Sequence, residues 1–387
     1  MGSFLLFKIQ YFMEFIEKEE EMILPYQKLK DMIFGNSPMI ISNGSNIKES
    51  QVQPATIDCR LGTRVYRMSA AMFPKPGESV NNLIEKYCRF DFELKEDSIL
   101  EPNAIYIVPL QEGFNLTDEF SAFFSPKSST GRTDVFVRVL SNDMQHYDVV
   151  RPGYRGEIYL EIVPLSFSVG IKPSLELVQF RIRVQDKSRF LCDNDLRLLH
   201  AKHGLIYSND GKVIPVQDAK LHNSGLYFHV DLKRDIVGFQ ALSNPIDKID
   251  LFRTNHYESE DFWIPIHSKN GEIVLQPGCF YLLASKEKVK IPQECAAEIS
   301  IFEASIGEFR SHYAGFFDNA FGGELGTNVV LEVRARDVPC RIYDGQPICK
   351  MNFEMTTEIP EKLYGQTGSN YTGSGPSLSK HFKKIEW

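Results

Sequence analysis

The strongest constraint on what this chain can fold into is an internal repeat. The segment LEPNAIYIVPLQEGF from Leu100 aligns with LQPGCFYLLASKEKV from Leu275 at a constant offset of 175 residues. Downstream, VRPGYRGEIYLEI at 150–162 resembles DNAFGGELGTNVVLEV at 318–333, and a Leu-Glu pair stands near the end of both. Self-similarity over such a distance indicates a duplicated structural unit. The sequence therefore predicts two copies of one domain.

The predicted copies span residues 22–206 and 225–387, and the polar, turn-rich stretch 207–224 is predicted to link them. Residues 1–21 combine an apolar patch with an acidic cluster. A secretory signal has a basic start and a small-residue cleavage site, and this stretch has neither. We therefore expect an appended extension, with a short amphipathic helix packed on a partner as the alternative.

Within each copy the hydrophobic pattern has the period of a β-strand. Ile158, Leu160 and Ile162 alternate with residues of the opposite face, and the second copy repeats this pattern. Short β-branched and aromatic runs between Pro, Gly and Asn-Gly turns are typical of an all-β sandwich or barrel. Only a few short helices are predicted, two of them at 25–34 and 193–203.

Composition excludes several classes of protein. No run reaches the ~18 apolar residues that a membrane-spanning helix needs. A formal net charge of −8 argues against wrapping nucleic acid. Seven scattered cysteines without a Cys-x-x-Cys motif favour a reducing cytoplasm over a disulfide framework. We expect a cytoplasmic enzyme or binding protein that partners neither membranes nor nucleic acids.

Zinc-dependent deaminase chemistry lacks its sequence signature. That chemistry uses His-x-Glu followed by Pro-Cys-x-x-Cys, whose ligands hold the metal that activates water. His256-Tyr257-Glu258 fits the first half, but Pro339-Cys340 is not followed by a second cysteine at the required spacing. Phosphate-binding GxxxxGK[ST] and nucleophile GxSxG motifs are also absent. The sequence therefore predicts no zinc site.

One polar cluster and two recurring glutamates remain as candidate site residues. Residues 127–132, KSSTGR, follow a predicted strand and join two cations to three hydroxyls. Hydroxyls, turn amides and cations can cradle a triphosphate, although Ser and Thr also commonly stabilise turns. Glu161 and Glu332 end the Leu-Glu pairs of the two copies. A strand glutamate is usually just solvated, but its recurrence in an apolar strand favours a functional role.

Several motifs carry a resemblance to a known family. They occur in family order: QPATIDCRLG at 53–62, PKSSTGR at 126–132, HYAGFFD at 312–318, VLEVR at 330–334 and SNYTGSGPSLSKHF at 369–382. The chain resembles the dCTP deaminases of the dUTPase-like superfamily, in particular the long bacterial form with two fused copies. The resemblance implies two tandem distorted β-barrels of the jelly-roll type with a few short helices.

The resemblance also implies an activity and its partners. The implied reaction is hydrolytic deamination of dCTP to dUTP and ammonia, supplying dUTP for dTMP synthesis, with a glutamate rather than a metal activating water. Mg²⁺ would accompany the triphosphate, the enzyme would be a homo-oligomer with interface sites, and dTTP is a candidate feedback inhibitor. A bifunctional deaminase and diphosphatase that forms dUMP, a plain dUTPase and a non-catalytic nucleotide-binding regulator stay open as alternatives.

Each copy departs from the family pattern in a different half. The first copy keeps Ser128 and Arg132, but Arg151 stands where the family has an aspartate before Pro-Gly. The second copy keeps Glu332 and its upstream motif, whereas its phosphate motif has decayed to ASIGEFR at 304–310. We therefore predict one composite site, with phosphate binding from the first copy and catalysis from the second.

The resemblance assigns roles to individual residues of this composite site. The predicted catalytic set is Ser128, Arg132, Ala314 and Glu332. The predicted substrate-binding set is Lys127, Ser129, Asp318, Tyr364, Asn370 and Tyr371. Glu161 and Arg310 are interpreted either as a second, mirror-image site or as a structural remnant of one.

Overall fold

The computed structural model describes residues 22–184, 190–243, 245–300, 315–368 and 375–384, and the backbone of 309–311. The predicted extension at 1–21 lies outside these residues. The all-β class is confirmed, since strands dominate and the helices are few and short. None of the helices in the described ranges is long and apolar enough to cross a membrane. Closure of the sheets into barrels stays a prediction.

Four α-helices are present in the described residues. They are α1 (Tyr26–Phe34), α2 (Val80–Tyr87), α3 (Ser128–Gly131) and α4 (Asp193–His203), and two 3-10 turns lie at Glu49–Gln51 and Ser259–Asp261. Helices α1 and α4 lie where the sequence predicts them. The prediction missed α2, although Ser79 marks its start: the Ser79 side chain accepts a hydrogen bond from the Asn82 amide, as N-cap serines do.

Among its described residues, the first copy has twelve strands in three sheets. The strands are β1 (Ile40–Ser42), β2 (Ile57–Arg60), β3 (Arg64–Met68), β4 (Cys88–Glu93), β5 (Ser98–Leu100), β6 (Ile105–Asn115), β7 (Phe120–Pro126), β8 (Val135–Ser141), β9 (Val149–Val150), β10 (Arg155–Pro164), β11 (Val169–Ile171) and β12 (Glu176–Val184). One sheet has the order β4-β3-β6-β10-β8, with β1 also pairing β6, and another has the order β2-β12-β7-β9.

The second copy repeats this arrangement. Its strands are β13 (Ile206–Tyr207), β14 (Leu221–His222), β15 (Gly225–His229), β16 (Gly238–Ala241), β17 (Ile249–Asp250), β18 (Trp263–Ile266), β19 (Glu272–Leu275), β20 (Phe280–Val289), β21 (Cys295–Ser300), β22 (Phe309–Ser311), β23 (Phe316–Phe317), β24 (Thr327–Ala335), β25 (Cys340–Tyr343) and β26 (Pro347–Met355). The order β18-β16-β20-β24-β22 matches that of the first sheet, and β14-β15-β26-β21-β23 matches that of the second with β14 added at its edge. The duplication therefore extends to topology.

The two copies share their cores. Strand β17 of the second copy pairs in parallel with β11 of the first, and Phe262, Trp263 and Phe382 lie in the first copy's hydrophobic cluster. Conversely, α4 packs through Leu196 and Leu199 into the second copy's cluster, although the sequence assigns it to the first domain. Strand β14 lies within the predicted linker and β13 spans its first boundary, and both join second-copy sheets. The copies therefore interdigitate.

Two buried arginines of β12 reach into the second copy. Arg183 forms ion pairs with Glu354 (Nε–Oε1 2.8 Å) and Glu298 (Nη2–Oε2 3.1 Å). Arg181 donates to the carbonyls of Ala297 and Phe317 at 3.0 and 2.9 Å. Burial, followed by repulsion from Glu354, raises the pKa of Glu298 to about 7. The interface is therefore polar as well as apolar, with its charges held in fixed positions.

Candidate active site

The structure brings Glu332 of the second copy against the turn of the first copy that carries Ser128 and Arg132. Glu332 lies on β24, where Leu331 and Val333 face the second core, so the glutamate projects from the opposite face. A Cβ atom built on Gly131 would collide with both carboxylate oxygens of Glu332 and lie 2.7 Å from its Cδ. Only a glycine in the turn leaves this space for the carboxylate.

The turn is held in shape by its own backbone and hydroxyls. After β7 ends at Pro126, the amides of Thr130 and Gly131 donate to the Lys127 carbonyl at 2.8 and 3.1 Å. The Thr130 hydroxyl donates to the carbonyl of Leu177 on the neighbouring chain segment at 2.9 Å. Since this hydroxyl bonds to the backbone of β12, the Thr130 side chain holds the turn in place.

The C-terminal segment lies over the same turn. Arg132 Nη1 donates to the carbonyl and hydroxyl of Ser377 at 3.2 and 2.6 Å. The Ser379 hydroxyl donates to the Ser129 carbonyl at 3.0 Å. The side chain of Arg132 and the backbone carbonyl of Ser129 therefore both bond to the C-terminal segment, which carries the last sequence motif.

Lys127 is engaged by carboxylates of its own copy. Its Nζ lies 2.5 Å from Asp58 Oδ2 and 3.0 Å from Glu176 Oε2. Burial alone would lower the pKa of Lys127, but the two carboxylates outweigh it and raise that pKa. Burial raises the pKa of Asp58 to about 6. The sequence assigned Lys127 to the substrate, whereas the structure shows its ammonium already paired, so a triphosphate contact would require this pairing to be exchanged.

Asp318 faces the first copy. Its carboxylate lies 3.5 Å from Arg181 Nη2 and accepts a hydrogen bond from the Thr56 hydroxyl at 3.4 Å. Burial raises the pKa of Asp318. The adjoining chain is held in the same way, since the Gly315 amide donates to the hydroxyl of Ser125 at 3.1 Å. The segment of the second copy from Gly315 to Asp318 is therefore docked on β7 and β12.

The remaining predicted site residues, Ala314 of the catalytic set among them, divide into two groups. Tyr364 packs its ring against Phe321 (4.9 Å between centroids), and its amide donates to the Asn319 carbonyl at 3.0 Å. The Tyr364 backbone is therefore bonded to the residue that follows Asp318, and its side chain packs against the second copy's hydrophobic cluster. Ala314, Asn370 and Tyr371 lie outside the described residues, and their roles stay predictions.

Glu161, the equivalent of Glu332 in the first copy, is sealed by a contact with its own copy. The two glutamates are buried to the same degree (2% and 3% exposed), but the Glu161 carboxylate accepts a hydrogen bond from the Met72 amide at 3.2 Å. The Tyr147 hydroxyl closes the same segment by donating to the Met72 carbonyl at 2.8 Å. Burial raises the pKa of Glu161 to about 7, with Arg138 and the Met72 amide opposing this.

Arg310 does not occupy the position of Arg132. Strand β22 places Arg310 opposite Arg334, and Arg334 stands two residues after its Leu-Glu pair. In the first copy the residue at that position is Val163, which lies opposite Phe136. Arg310 thus corresponds to Phe136 in a strand, whereas Arg132 ends the α3 turn. Together with the sealing of Glu161, this favours the structural remnant over a mirror-image site.

The raised pKa of the buried Glu161 carboxyl predicts how the stability of the protein depends on pH. Its pKa is raised on folding, so between about pH 4.5 and 7 the native state holds a proton that the unfolded chain releases. Stability then falls as pH rises through that window, by up to about 1.4 kcal/mol per pH unit. Glu161→Gln imitates the protonated acid, and we expect it to be more stable than the wild type at pH 8 but not at pH 4.5.

Urea unfolding at the two pH values measures this difference. Glu85→Gln on the exposed face of α2 is the matched control, since Glu85 is solvent-exposed. Parallel stability profiles for wild type and Glu161→Gln would contradict the raised pKa.

Three residues near the Glu332 contact were not assigned by sequence reasoning. Gly131 and Arg334 lie inside the motifs PKSSTGR and VLEVR, so the motifs themselves were the available signal. Asp134 lies two residues after Arg132 and forms an ion pair with Arg334. The family motifs do not include Asp134, so no motif related it to Arg334, 200 positions away. In the described part of the chain, no group of three or more His, Cys, Asp and Glu side chains is placed to hold a metal ion.

Comparison with known proteins decides the family. The model of the 2'-deoxycytidine 5'-triphosphate deaminase N-terminal domain matches residues 20–186, and that of the C-terminal domain matches residues 192–382. The chain belongs to the dCTP deaminase family. It is a tandem-domain member, and the family's enzymes are hydrolases that act on a C–N bond of the nucleotide base.

Individual dCTP deaminases resemble the chain at different lengths. A crystal structure of 2'-deoxycytidine 5'-triphosphate deaminase from Agrobacterium tumefaciens is 32% identical, with a TM-score of 0.79, and covers 87% of this chain and 99% of that one. The "dCTP deaminase, dUMP-forming" of Methanosphaera stadtmanae is 30% identical over 185 residues, 45% of this chain and 88% of the relative. The "dCTP deaminase, dUMP-forming" of Methanothermobacter thermautotrophicus is 25% identical over 190 residues, which cover 47% of this chain and 88% of the relative.

Proposed function

We propose that this protein hydrolyses dCTP to dUTP and ammonia at the composite site where Glu332 meets the turn of residues 128–132. The observation that carries the proposal is the contact between Glu332 and Gly131, which joins the half-motif retained by each copy. Membership of the dCTP deaminase family supports the substrate. All these residues come from one chain, so an oligomer is not needed to bring them together.

Glu332 is proposed to move the protons of the reaction. Water attacks the ring carbon that bears the amino group, Glu332 accepts a proton from this water, and the same carboxyl then delivers a proton to the departing nitrogen as ammonia leaves. One carboxyl can act in turn as base and acid because each transfer restores the form that the next step requires. Its 3% exposure limits competing solvent, which strengthens electrostatic interactions with the substrate.

The first copy is proposed to hold the triphosphate. Arg132 supplies a guanidinium suited to bidentate phosphate binding, and Ser128 begins a turn whose hydroxyls and amides lie beside it. In this structure Arg132 contacts Ser377, so the phosphates would take over or share that contact. Mg²⁺ would be held by the triphosphate oxygens and would neutralise their charge.

The alternative product is dUMP, formed by a bifunctional enzyme that also releases pyrophosphate. The specific observation in its favour is that the relatives from Methanosphaera stadtmanae and Methanothermobacter thermautotrophicus are named as dUMP-forming. Feedback inhibition by dTTP, assembly into a homo-oligomer and a cytoplasmic location are further expectations of the same proposal.

Incubation with dCTP and with dUTP, followed by measurement of ammonia and pyrophosphate, tests the proposal. Ammonia from dCTP without pyrophosphate supports a deaminase that forms dUTP. Ammonia with stoichiometric pyrophosphate supports the dUMP-forming alternative, and pyrophosphate from dUTP alone indicates a dUTPase. Nucleotide binding without any product would overturn the enzymatic proposal in favour of a regulator.

Metal removal separates a role on the substrate from a role in water activation. We expect a zinc-selective chelator to leave ammonia release from dCTP unchanged, because the proposed proton acceptor is Glu332. Removal of Mg²⁺ should raise the KM for dCTP, since the uncompensated triphosphate charge weakens binding. Activity that disappears with the zinc chelator and returns on zinc addition would contradict the proposed mechanism.

Gly131→Ala tests the contact on which the composite site depends. The added methyl group would collide with the Glu332 carboxylate, and a misplacement of about 1 Å can lower a rate by about 10²-fold. We expect kcat to fall by about that factor while the protein stays folded, because residue 131 is in a helical turn that alanine adopts readily. The control is Gly131→Ala in a Glu332→Gln background, where little further loss is expected. A fully active Gly131→Ala enzyme would place catalysis elsewhere.

A further inference from the structure

A second contact between the copies lies beside the Glu332 contact. Arg334 is two residues beyond Glu332 on β24, so both project from the same face. Its guanidinium forms a two-point ion pair with Asp134 of the first copy, in which Nε donates to Oδ1 at 3.1 Å and Nη2 donates to Oδ2. Asp134 is fully buried and Arg334 is 18% exposed in its side chain. Bidentate arginine–carboxylate pairs fix orientation as well as distance.

Each member of this pair is anchored by further hydrogen bonds. The Ser166 hydroxyl donates to Asp134 Oδ2 at 2.5 Å, and Arg334 Nη2 lies 3.2 Å from the same hydroxyl. Arg334 Nη1 donates to the Gly278 carbonyl at 2.7 Å. Neither side chain can shift without breaking several hydrogen bonds. The Arg334 guanidinium bonds to Asp134 and Ser166 of the first copy and to Gly278 of the second.

Asp134 connects the ion pair directly to the turn. Its amide donates to the Gly131 carbonyl at 2.9 Å. Its φ of 56° is in the left-handed region, which aspartate tolerates better than most residues and which reverses the chain from α3 into β8. Gly131 in turn contacts Glu332. The four residues therefore form a closed circuit: Glu332, Arg334, Asp134 and Gly131.

The first copy cannot build the same circuit around its own glutamate. The residue two positions after Glu161 is Val163, which has no charge to pair. Arg334 therefore occurs only in the copy whose glutamate contacts the turn of residues 128–132. The pair therefore forms where Glu332 meets the turn, and not around Glu161.

We propose that Arg334 and Asp134 are positioning residues that hold the Glu332 carboxylate at a set distance from the Ser128–Arg132 turn. This rests on the proposed function, in which Glu332 moves the protons. The pair touches neither reacting atoms nor phosphates in this proposal; it acts through the strand that carries Glu332 and through the turn that carries Gly131.

The test measures kcat and KM for dCTP in Arg334→Gln, Asp134→Asn and the double variant. Asparagine keeps the left-handed backbone at 134 accessible. We expect each single change to lower kcat about 10- to 100-fold, as a misplaced catalytic group does, with KM within about three-fold of wild type. The double variant should be no worse than the poorer single one, because the two residues act as one unit. Arg334→Lys should recover part of the activity, since it keeps the charge without the fork.

Two comparisons separate positioning from folding. Arg341→Gln removes an exposed arginine–carboxylate pair with Glu272 on another sheet and should keep wild-type kcat. Combined with Glu332→Gln, Arg334→Gln should lower the residual rate no further. Unchanged kcat in Arg334→Gln, or an equal loss in the Glu332→Gln background, overturns the positioning role. A wild-type enzyme that releases no ammonia from dCTP instead overturns the proposed function, so the two failures are distinguishable.

Discussion

Glu332→Gln is expected to lower kcat for ammonia release from dCTP by about 10²- to 10⁴-fold, the usual contribution of a general base. Glutamine keeps the shape of the side chain against Gly131 but cannot accept the proton of the attacking water. Binding of dCTP should persist, because the phosphate-side turn belongs to the other copy. Steady-state kinetics, with dCTP affinity measured separately by calorimetry, give both quantities.

Glu161→Gln is the matched control for this experiment. It makes the same chemical change at the equivalent position of the first copy, where an equally buried carboxylate accepts a hydrogen bond from the Met72 amide of its own copy. We expect deamination within a few-fold of wild type at neutral pH. If Glu161→Gln is the variant that abolishes activity and Glu332→Gln is not, the first copy carries the catalysis and the composite site is wrong.

Arg183→Met is expected to lower the free energy of unfolding by about 3–5 kcal/mol, the typical cost of removing one partner from a buried ion pair. The substitution removes the cation that bonds directly to the buried Glu354 and the half-buried Glu298. Arg183 also lies over the ring of Phe123, 3.7 Å from its centroid, and methionine keeps part of that packing. Denaturant unfolding monitored by tryptophan fluorescence measures the difference.

The position of this pair in the repeat suggests its control. Arg183 lies opposite Ser121 in β7, and Glu354 lies opposite Ala296 in β21, which are equivalent places in the two copies. The pairing is therefore complementary between unlike copies, whereas like copies would bring together equal charges. Arg183→Glu combined with Glu354→Arg should recover part of the stability lost in either single change. Arg183→Met with wild-type stability would show that the buried pair contributes nothing.

Much of the architecture was accessible from the sequence because it depends on local patterns. Alternation with a period of two along β10 and β24 predicts half-buried strands regardless of what they pack against. The offset of 175 residues between Leu100 and Leu275 predicts the duplicated topology. The division of labour between copies could also be predicted, because motif loss is visible residue by residue. Helix α2 was missed although it has an N-cap serine and buries Val80, Leu83 and Ile84 along one face.

The contacts of a site residue were harder to predict where the fold offers its side chain more than one partner of suitable charge. Lys127 stands beside hydroxyls in the sequence and resembles a phosphate ligand, but the fold brings Asp58 and Glu176 to its ammonium. A desolvated cation next to two carboxylates pairs with them, since an unpaired buried charge is costly. Arg310 resembles Arg132 in the aligned letters, yet pairing with β24 places it in a strand.

By itself the sequence determined that this protein is a duplicated all-β chain whose copies each keep half of a dCTP deaminase motif. The sequence also favoured Glu332 over Glu161, because Arg151 stands where the family has an aspartate upstream of Glu161. Only the tertiary structure decided that Glu332 lies against the turn of residues 128–132, since both glutamates follow a leucine in equivalent strands and the strands alone do not say what each carboxylate contacts. The distinction arises because Met72 covers one carboxylate while Gly131, from the other copy, leaves room for the second. Contacts between residues so far apart in the chain depend on how the copies pack, and packing is a property of the whole fold.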